Sequence, residues 1–132
     1  MNAELIMASL LNADSITNIV GNRRALGQLP QNTSYPALVY RLIDNVPQPN
    51  VDYRNGPQRA SARFQINPLG SSISEIKAIH SAIRSVLDFK QQQTVAGKLI
   101  VSCRLVIVNP MEKDIESNIW TQSADYILTY YE

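Results

Sequence analysis

The sequence predicts an α+β fold with elements in the order α-β-β-α-β-β, in which a mostly antiparallel four-stranded sheet carries its helices on one face. Three observations predict it. Residues 59–66 alternate strictly between polar and apolar side chains, as a strand with one buried face does. Residues 72–75 match a capping box, and apolar side chains follow it at three- and four-residue steps. Residues 98–108 form the longest and most β-branched run.

The chain opens with two short helical patterns. Apolar side chains recur at helical spacing in residues 5–11, and Asp14 can cap a second helical turn that Gly21 ends. Residues 21–36 are rich in Gly, Pro and Asn, which predicts an extended loop. The apolar run at the start is too short for a secretory signal, and no run is long enough to span a bilayer. We therefore expect a reducing, cytoplasm-like compartment, at least until the chain joins something larger.

The predicted strands are separated by long connections. Residues 37–44 are apolar on both faces, which favours a central strand or one whose second face meets another subunit. Three prolines and an Asn-Gly pair in residues 45–57 predict a long exposed connection. The breaker Asn67-Pro68-Leu69-Gly70 is expected to end the next strand. Residues 88–97 predict a polar connector, and residues 109–118 a second long loop before a closing aromatic strand.

The predicted core lies where the capped helix covers the sheet. The strand at 98–108 is expected to turn Leu99, Val101, Cys103, Leu105 and Ile107 to one face. The residues predicted to form the centre of the core are Phe64, Ile76, Ile79, Ile83, Val101 and Leu105.

Length and composition predict one domain, residues 1–132, with enough chain for a single core. The content of 45% hydrophobic and 17% charged residues is ordinary for a globular protein. The net charge of +1 gives no electrostatic case for nucleic acid or a membrane as the main partner. One cysteine excludes an internal disulfide, and no zinc-ligand spacing is present.

No motif in the sequence supports catalysis, a cofactor or a metal. His80 lies at the edge of the helical stripe, where a half-buried structural histidine is expected. Cys103 alternates with apolar neighbours and predicts a small buried side chain. Glu112, Asp114 and Glu116 alternate as in a cation site, but their spacing lacks the glycine and terminal glutamate of a calcium loop. Solvated loop charge is the preferred interpretation.

Two arginines mark the polar face of the strand at 59–66. Arg59 and Arg63 share that face with Ser61 and Gln65. A solvated sheet face accounts for this pattern, and so does a subunit interface or the wall of a channel.

Patterned stretches along nearly the whole chain resemble the small tail-completion, or tail terminator, proteins of tailed bacteriophages, which join the tail tube to the head side. The stretches are I-V-G-N-R, Q-L-P-Q-N-T-S-Y-P-A-L-V-Y-R, R-F-Q-I, I-K-A-I-H-S-A-I-R-S-V-L-D and D-Y-I-L-T-Y-Y. The chain departs from these relatives at Asn67-Pro68-Leu69-Gly70, where they tend to have an aromatic residue and a polar turn.

The resemblance implies a structural virion protein of the tail or neck rather than an enzyme, without a cofactor or a membrane partner. It implies a ring, typically of six copies, that caps the tail tube, docks to a neck or head-completion protein and lets genomic DNA pass through its lumen. Its location would be the virion, with the host cytoplasm as the place of assembly. The residues expected at subunit or partner contacts are Pro47, Tyr53, Arg54, Arg59, Arg63, Glu112, Lys113 and Asp114.

Two alternatives remain beside this expectation. Within the same class, the chain is another neck or head-completion ring protein of similar size. In a different class, it is a small cytoplasmic ligand-binding or enzymatic α+β domain, which requires a concave pocket with convergent polar groups.

Overall fold

A computed structural model describes residues 2–31, 33–48, 59–88 and 90–131 of the chain. The helices are α1 (Asn2–Leu10), α2 (Asp14–Val20) and α3 (Ile73–Leu87). The strands are β1 (Arg24–Leu26), β2 (Ala37–Gln48), β3 (Arg59–Gly70), β4 (Lys90–Val95), β5 (Lys98–Val108), β6 (Glu112–Asp114), β7 (Ile119–Thr121) and β8 (Ala124–Tyr131). The α+β class is confirmed.

The sheet is larger than predicted and it is mixed. Its order is β1-β2-β3-β8-β5-β4, and β7 pairs with both β3 and β6. The four predicted strands are the central ones, β2, β3, β8 and β5, and their neighbours pair antiparallel. The prediction of four strands was wrong because short or polar segments also join: β1 runs parallel to β2, and β4 forms a hairpin with β5.

All four predicted connections contain strand: the loop at 21–36 includes β1, and the loop at 109–118 includes β6. The connector at 88–97 contains β4, because backbone pairing to β5 does not require apolar side chains. Ala96 and Gly97, both at positive φ, make the tight turn of this hairpin. Likewise β2 continues through Gln48, which pairs with Arg59, so the exposed connection is shorter than residues 45–57. Residues 49–58 lie outside the described residues.

The breaker at 67–70 does not end β3. Pro68 lies opposite Leu38, whose own N–H donates to the Arg23 carbonyl on the β1 side. Leu38 and Pro68 therefore face each other without a hydrogen bond between them, and β2 needs no N–H from Pro68. On its other side, Pro68 falls between the last pair with β8, at Ile66, and the first pair with β7, at Leu69. Proline is tolerated here because neither neighbour uses the missing N–H.

The core lies between the helices and one face of the sheet. On β3 the alternation predicted from the sequence holds along the whole strand, and Phe64 is fully buried. On α3 the buried stripe comprises Ile76, Ile79, Ile83 and Leu87. The cap of α3 also forms: the Ser72 hydroxyl accepts the Glu75 N–H at 3.3 Å. The Glu75 carboxylate accepts from the Ser71 N–H, one residue earlier than a standard capping box.

The predicted face of β5 was wrong. Its register against β8 shifts between Ile100 and Ser102, and again between Leu105 and Ile107. Each shift is a bulge that inserts one extra residue and reverses the alternation. Ile100 and Cys103 are therefore the fully buried residues of β5, while Leu99 and Ile107 are exposed. Two residues of β5 were predicted for the core. Leu105 is half-buried and packs against the core, whereas Val101 is a half-buried bulge residue.

Replacing Ile79 by aspartate tests the packing of α3. Ile79 is 1% exposed, so the substitution buries a charge without a partner. We expect the free energy of unfolding to fall by more than about 3 kcal/mol. The matched control is Ile73→Asp on the same helix, since Ile73 is 42% exposed at the first turn. It should change stability by at most about 0.5 kcal/mol, measured by urea unfolding. Equal losses for both variants would show that the core face is misassigned.

Candidate functional site

The candidate site is the outer face of the sheet, the side turned away from the core. On β3 this face carries Arg59, Ser61, Arg63 and Gln65, which alternate with the buried residues and are themselves half-buried. Arg59 and Arg63, predicted as interface residues, are therefore brought together on one face. The helices contribute to the opposite face, so only neighbouring strands flank these side chains.

An arginine groove of about 460 Å³ crosses the outer face. Its lining residues are Asp44, Val46, Arg59, Ser61, Arg63, Arg104, Ile127 and Thr129. Across the strands, Ile127 lies between Arg63 on β3 and Arg104 on β5. Three guanidiniums line the groove against one lining carboxylate, Asp44, and Asp125 pairs with Arg63, so the groove keeps a small excess of positive charge that attracts anionic groups.

Arg63 is held by a charge pair of its own subunit. Its Nε and Nη2 atoms donate to Asp125 Oδ2 at 2.9 and 2.7 Å. Asp125 is only 8% exposed, and within the described chain its Oδ1 atom has no hydrogen-bond partner. The pair serves mainly to neutralise a buried carboxylate. The guanidiniums of Arg59 and Arg104 are thus the ones left to meet a partner, and Arg59 Nε is buried with no partner among the described residues.

Apolar side chains are exposed at and near the bulges of β2 and β5, and Val46 of β2 lines the groove. Ile43 is the extra residue where the β2 register shifts, and Val106 is the extra residue at the second shift of β5. Both are exposed, as are Val46 and Ile107. Exposed apolar side chains next to arginine are typical of protein interfaces. The bulges have no signature in the sequence, so the exposure of Val106 and Ile107 was not predicted.

The predicted contact residues Glu112, Lys113 and Asp114 form β6, one arm of a small hairpin with β7. Asp114 accepts hydrogen bonds from the Glu116 N–H and the Ser117 hydroxyl, at 3.1 and 2.8 Å. These bonds, the Ser117 hydroxyl first, lower the pKa of Asp114. Lys113 Nζ lies 5.4 Å from the centre of the Trp120 ring. Asp114 thus shapes the turn and does not join a cation site.

Of the remaining predicted contact residues, Pro47 lies near the end of β2. Pro47 is exposed and pairs with Ala60 in the ladder. Tyr53 and Arg54 lie outside the described residues.

A second cavity, of about 270 Å³, lies between α3 and the sheet. Its lining residues include His80, Arg84, Leu105 and Tyr126. His80 Nε2–H donates to the Gln122 carbonyl at 2.7 Å, which fixes the half-buried ring as predicted. Burial lowers the pKa of His80 more than this carbonyl raises it. Burial, and then the nearby Asp88 carboxylate, raise the pKa of Tyr126 to about 12. Both groups are therefore neutral at pH 7.

The described residues form neither a metal-binding cluster nor a helix that could cross a membrane. In the part of the chain that the structure covers, no three His, Cys, Asp or Glu side chains converge on a point that could hold an ion. Cys103 is buried, as the sequence predicted. Among the described helices, none has the length and apolarity to cross a bilayer.

Comparisons with known proteins agree with this architecture. The sequence profile of the family described as tail completion protein gp17 matches residues 4–107. No curated protein matches the chain. Among solved structures, a chain of the virion of a native gene transfer agent particle is similar in fold. Its TM-score is 0.70 at 11% sequence identity, over 98% of this chain and 93% of that chain.

Arg63→Ala tests whether Arg63 neutralises Asp125. We expect a loss of about 3 kcal/mol in the free energy of unfolding, because the substitution leaves a buried carboxylate unpaired. The control is Arg41→Ala, since Arg41 donates two hydrogen bonds to the uncharged Gln65 on the exposed face. Its cost should be at most about 1 kcal/mol, measured by urea unfolding. The double variant Arg63→Met with Asp125→Leu should recover most of the loss, and failure to do so would contradict the assignment.

The lowered pKa of His80 predicts an acid-sensitive stability. In the unfolded chain His80 titrates near its ordinary value of 6.5, whereas the folded protein binds that proton only at lower pH. Stability therefore falls as the pH drops below about 6.5, because the unfolded state then binds more protons. The melting temperature of the wild type should fall more between pH 7.5 and pH 5 than that of His80→Gln. Equal decreases would show that His80 does not contribute.

Proposed function

This chain belongs to the tail completion protein gp17 family, and we propose that copies of it form a ring, of six subunits, that caps a phage tail tube and joins the tail to the neck. The observation that carries the proposal is the match over residues 4–107, which spans every element from α1 to β5. The family is one of structural phage proteins. The ring and its position are inferred from that membership and from the surface of the subunit.

The outer face supports the idea of a ring. A ring requires heterologous contacts, in which one patch meets a different patch of the next copy. The arginine groove and the exposed apolar side chains near it provide one patch of mixed character, as interfaces have. The β6–β7 hairpin, which carries Glu112, Lys113 and Asp114, provides a separate projecting patch.

The two ends of the sheet suit contacts with other components. The tip where β2 and β3 meet, with Pro47 and the connection containing Tyr53 and Arg54, would contact the tail tube protein or a neck protein. Genomic DNA would pass through the lumen without tight binding, because the net charge of the chain is only +1. The assembled protein would reside in the virion, after assembly in the host cytoplasm.

Electron microscopy of tail tubes tests this proposal. Tubes assembled from the tube protein of the same genome should gain a ring of density at one end only when the chain is added. They should also stop growing, because a capped end no longer accepts tube subunits. Binding to portal-bearing capsids but not to tube ends would instead indicate a head-completion protein. A strict monomer that never attaches to tube ends would contradict the proposal.

A further inference from the structure

The β6–β7 turn presents an isoleucine to solvent. Ile115, directly after β6, is 90% exposed, more than any other large apolar side chain among the described residues. Isolated exposed apolar residues are common on protein surfaces. Ile115 is unusual because it lies in a turn that hydrogen bonds hold in one conformation.

The turn is ordered by its own hydrogen bonds. The Asn118 N–H donates to the Asp114 carbonyl at 2.8 Å and closes the turn, with Asn118 at a φ of 61°. The Asp114 side chain accepts from Glu116 and Ser117 within it. A rigid turn loses little conformational entropy when it binds a partner. Ile115 is thus held in place as a preorganised knob.

Carboxylates flank this knob. Asp114 precedes Ile115 and Glu116 follows it, and Glu116 is exposed. Lys113 extends over the Trp120 ring of its own hairpin, and Glu112 lies at the base of the hairpin, opposite Thr121. The Asp114 carboxylate is occupied within the turn. The knob therefore offers one apolar side chain between the carboxylates of Asp114 and Glu116, of which Glu116 is available to a partner.

The arginine groove has the complementary arrangement. Val46 and Ile127 supply apolar surface, and the guanidiniums of Arg59 and Arg104 lie beside it. Arg63 is already paired with Asp125, so it adds less to binding. An apolar side chain next to the available carboxylate of Glu116 matches an apolar floor next to two guanidiniums in both character and charge.

The knob cannot reach the groove of its own subunit. The hairpin joins the sheet where Thr121 pairs with Leu69, whereas the groove begins at Arg63 and extends to Arg59. At ~3.3 Å per residue along β3, the two features are roughly 20 to 33 Å apart. Any contact between them must therefore join two copies of the chain.

We propose that the β6–β7 turn of one copy inserts Ile115 into the arginine groove of the next, with Glu116 facing the guanidiniums of Arg59 and Arg104. This contact rests on the proposed ring, and it names the two surfaces that build it. It is heterologous, so an open chain of copies keeps one free groove at one end and one free turn at the other until the ring closes.

Disulfide cross-linking tests the pairing directly. In the variant Val46→Cys with Ile115→Cys, oxidation should give a ladder of covalent oligomers whose highest rung equals the ring size. Val46 is 53% exposed in the groove, and buried Cys103 does not compete. The matched control, Val46→Cys with Leu5→Cys, pairs the groove with an equally accessible position that is 60% exposed on α1. It should give no ladder.

Mixing two defective variants tests the direction of the contact. Ile115→Ser removes the knob and keeps the groove, while Arg104→Glu spoils the groove and keeps the knob. Each alone should fail to form rings, and an equal mixture should give heterodimers, because only one productive contact remains. Leu5→Ser, the matched surface control, should form rings like the wild type. Light scattering measures these masses, and unchanged melting temperatures show that the variants fold.

The outcomes separate this pairing from the ring itself. A wild type that forms rings, with no ladder from positions 46 and 115, overturns the pairing and leaves the ring intact. A wild type that neither forms rings nor attaches to tube ends overturns both. If Arg104→Glu weakens salt-dependent binding to a DNA duplex while Ile115→Ser leaves the rings whole, the groove faces nucleic acid and the pairing is wrong.

Discussion

The structure depends on β3 being paired on both sides while its side chains alternate without interruption. It pairs with β2 along one side and with β8 and β7 along the other. Every second side chain is buried in the core, so the residues between them must lie on the outer face. A one-residue shift of register would expose Phe64 and bury Arg63. The constraint that folds the subunit thereby also positions its arginines.

Local patterns predicted the parts of the fold that depend on neighbouring residues. The alternation of β3 and the stripe and cap of α3 involve residues within a few positions of each other. The bulges of β5 and the pairing of β4 depend on partner strands, which one strand's own sequence does not encode. For this reason the core position of Ile100 was missed, and Val101 was placed in the core although it is a bulge residue.

The sequence likewise predicted only part of the candidate site. Arg59 and Arg63 could be placed on one face, because they belong to a single alternating strand. Their environment could not be foreseen. The partner of Arg63 is 62 residues away in sequence, and Arg104 reaches the groove only because β8 lies between β3 and β5. The exposure of Ile115 likewise follows from a turn whose hydrogen bonds were not apparent from composition.

The open edges of the sheet affect whether the protein aggregates at high concentration. An open strand edge can recruit further chains and lead to aggregation. Here one edge is β1, only three residues long, and the other is β4, with the sequence K-Q-Q-Q-T-V. The β1 edge offers another chain few unpaired backbone groups because it is so short. Addition of further strands is therefore limited at this edge, and β4, with six residues, presents the longer open edge.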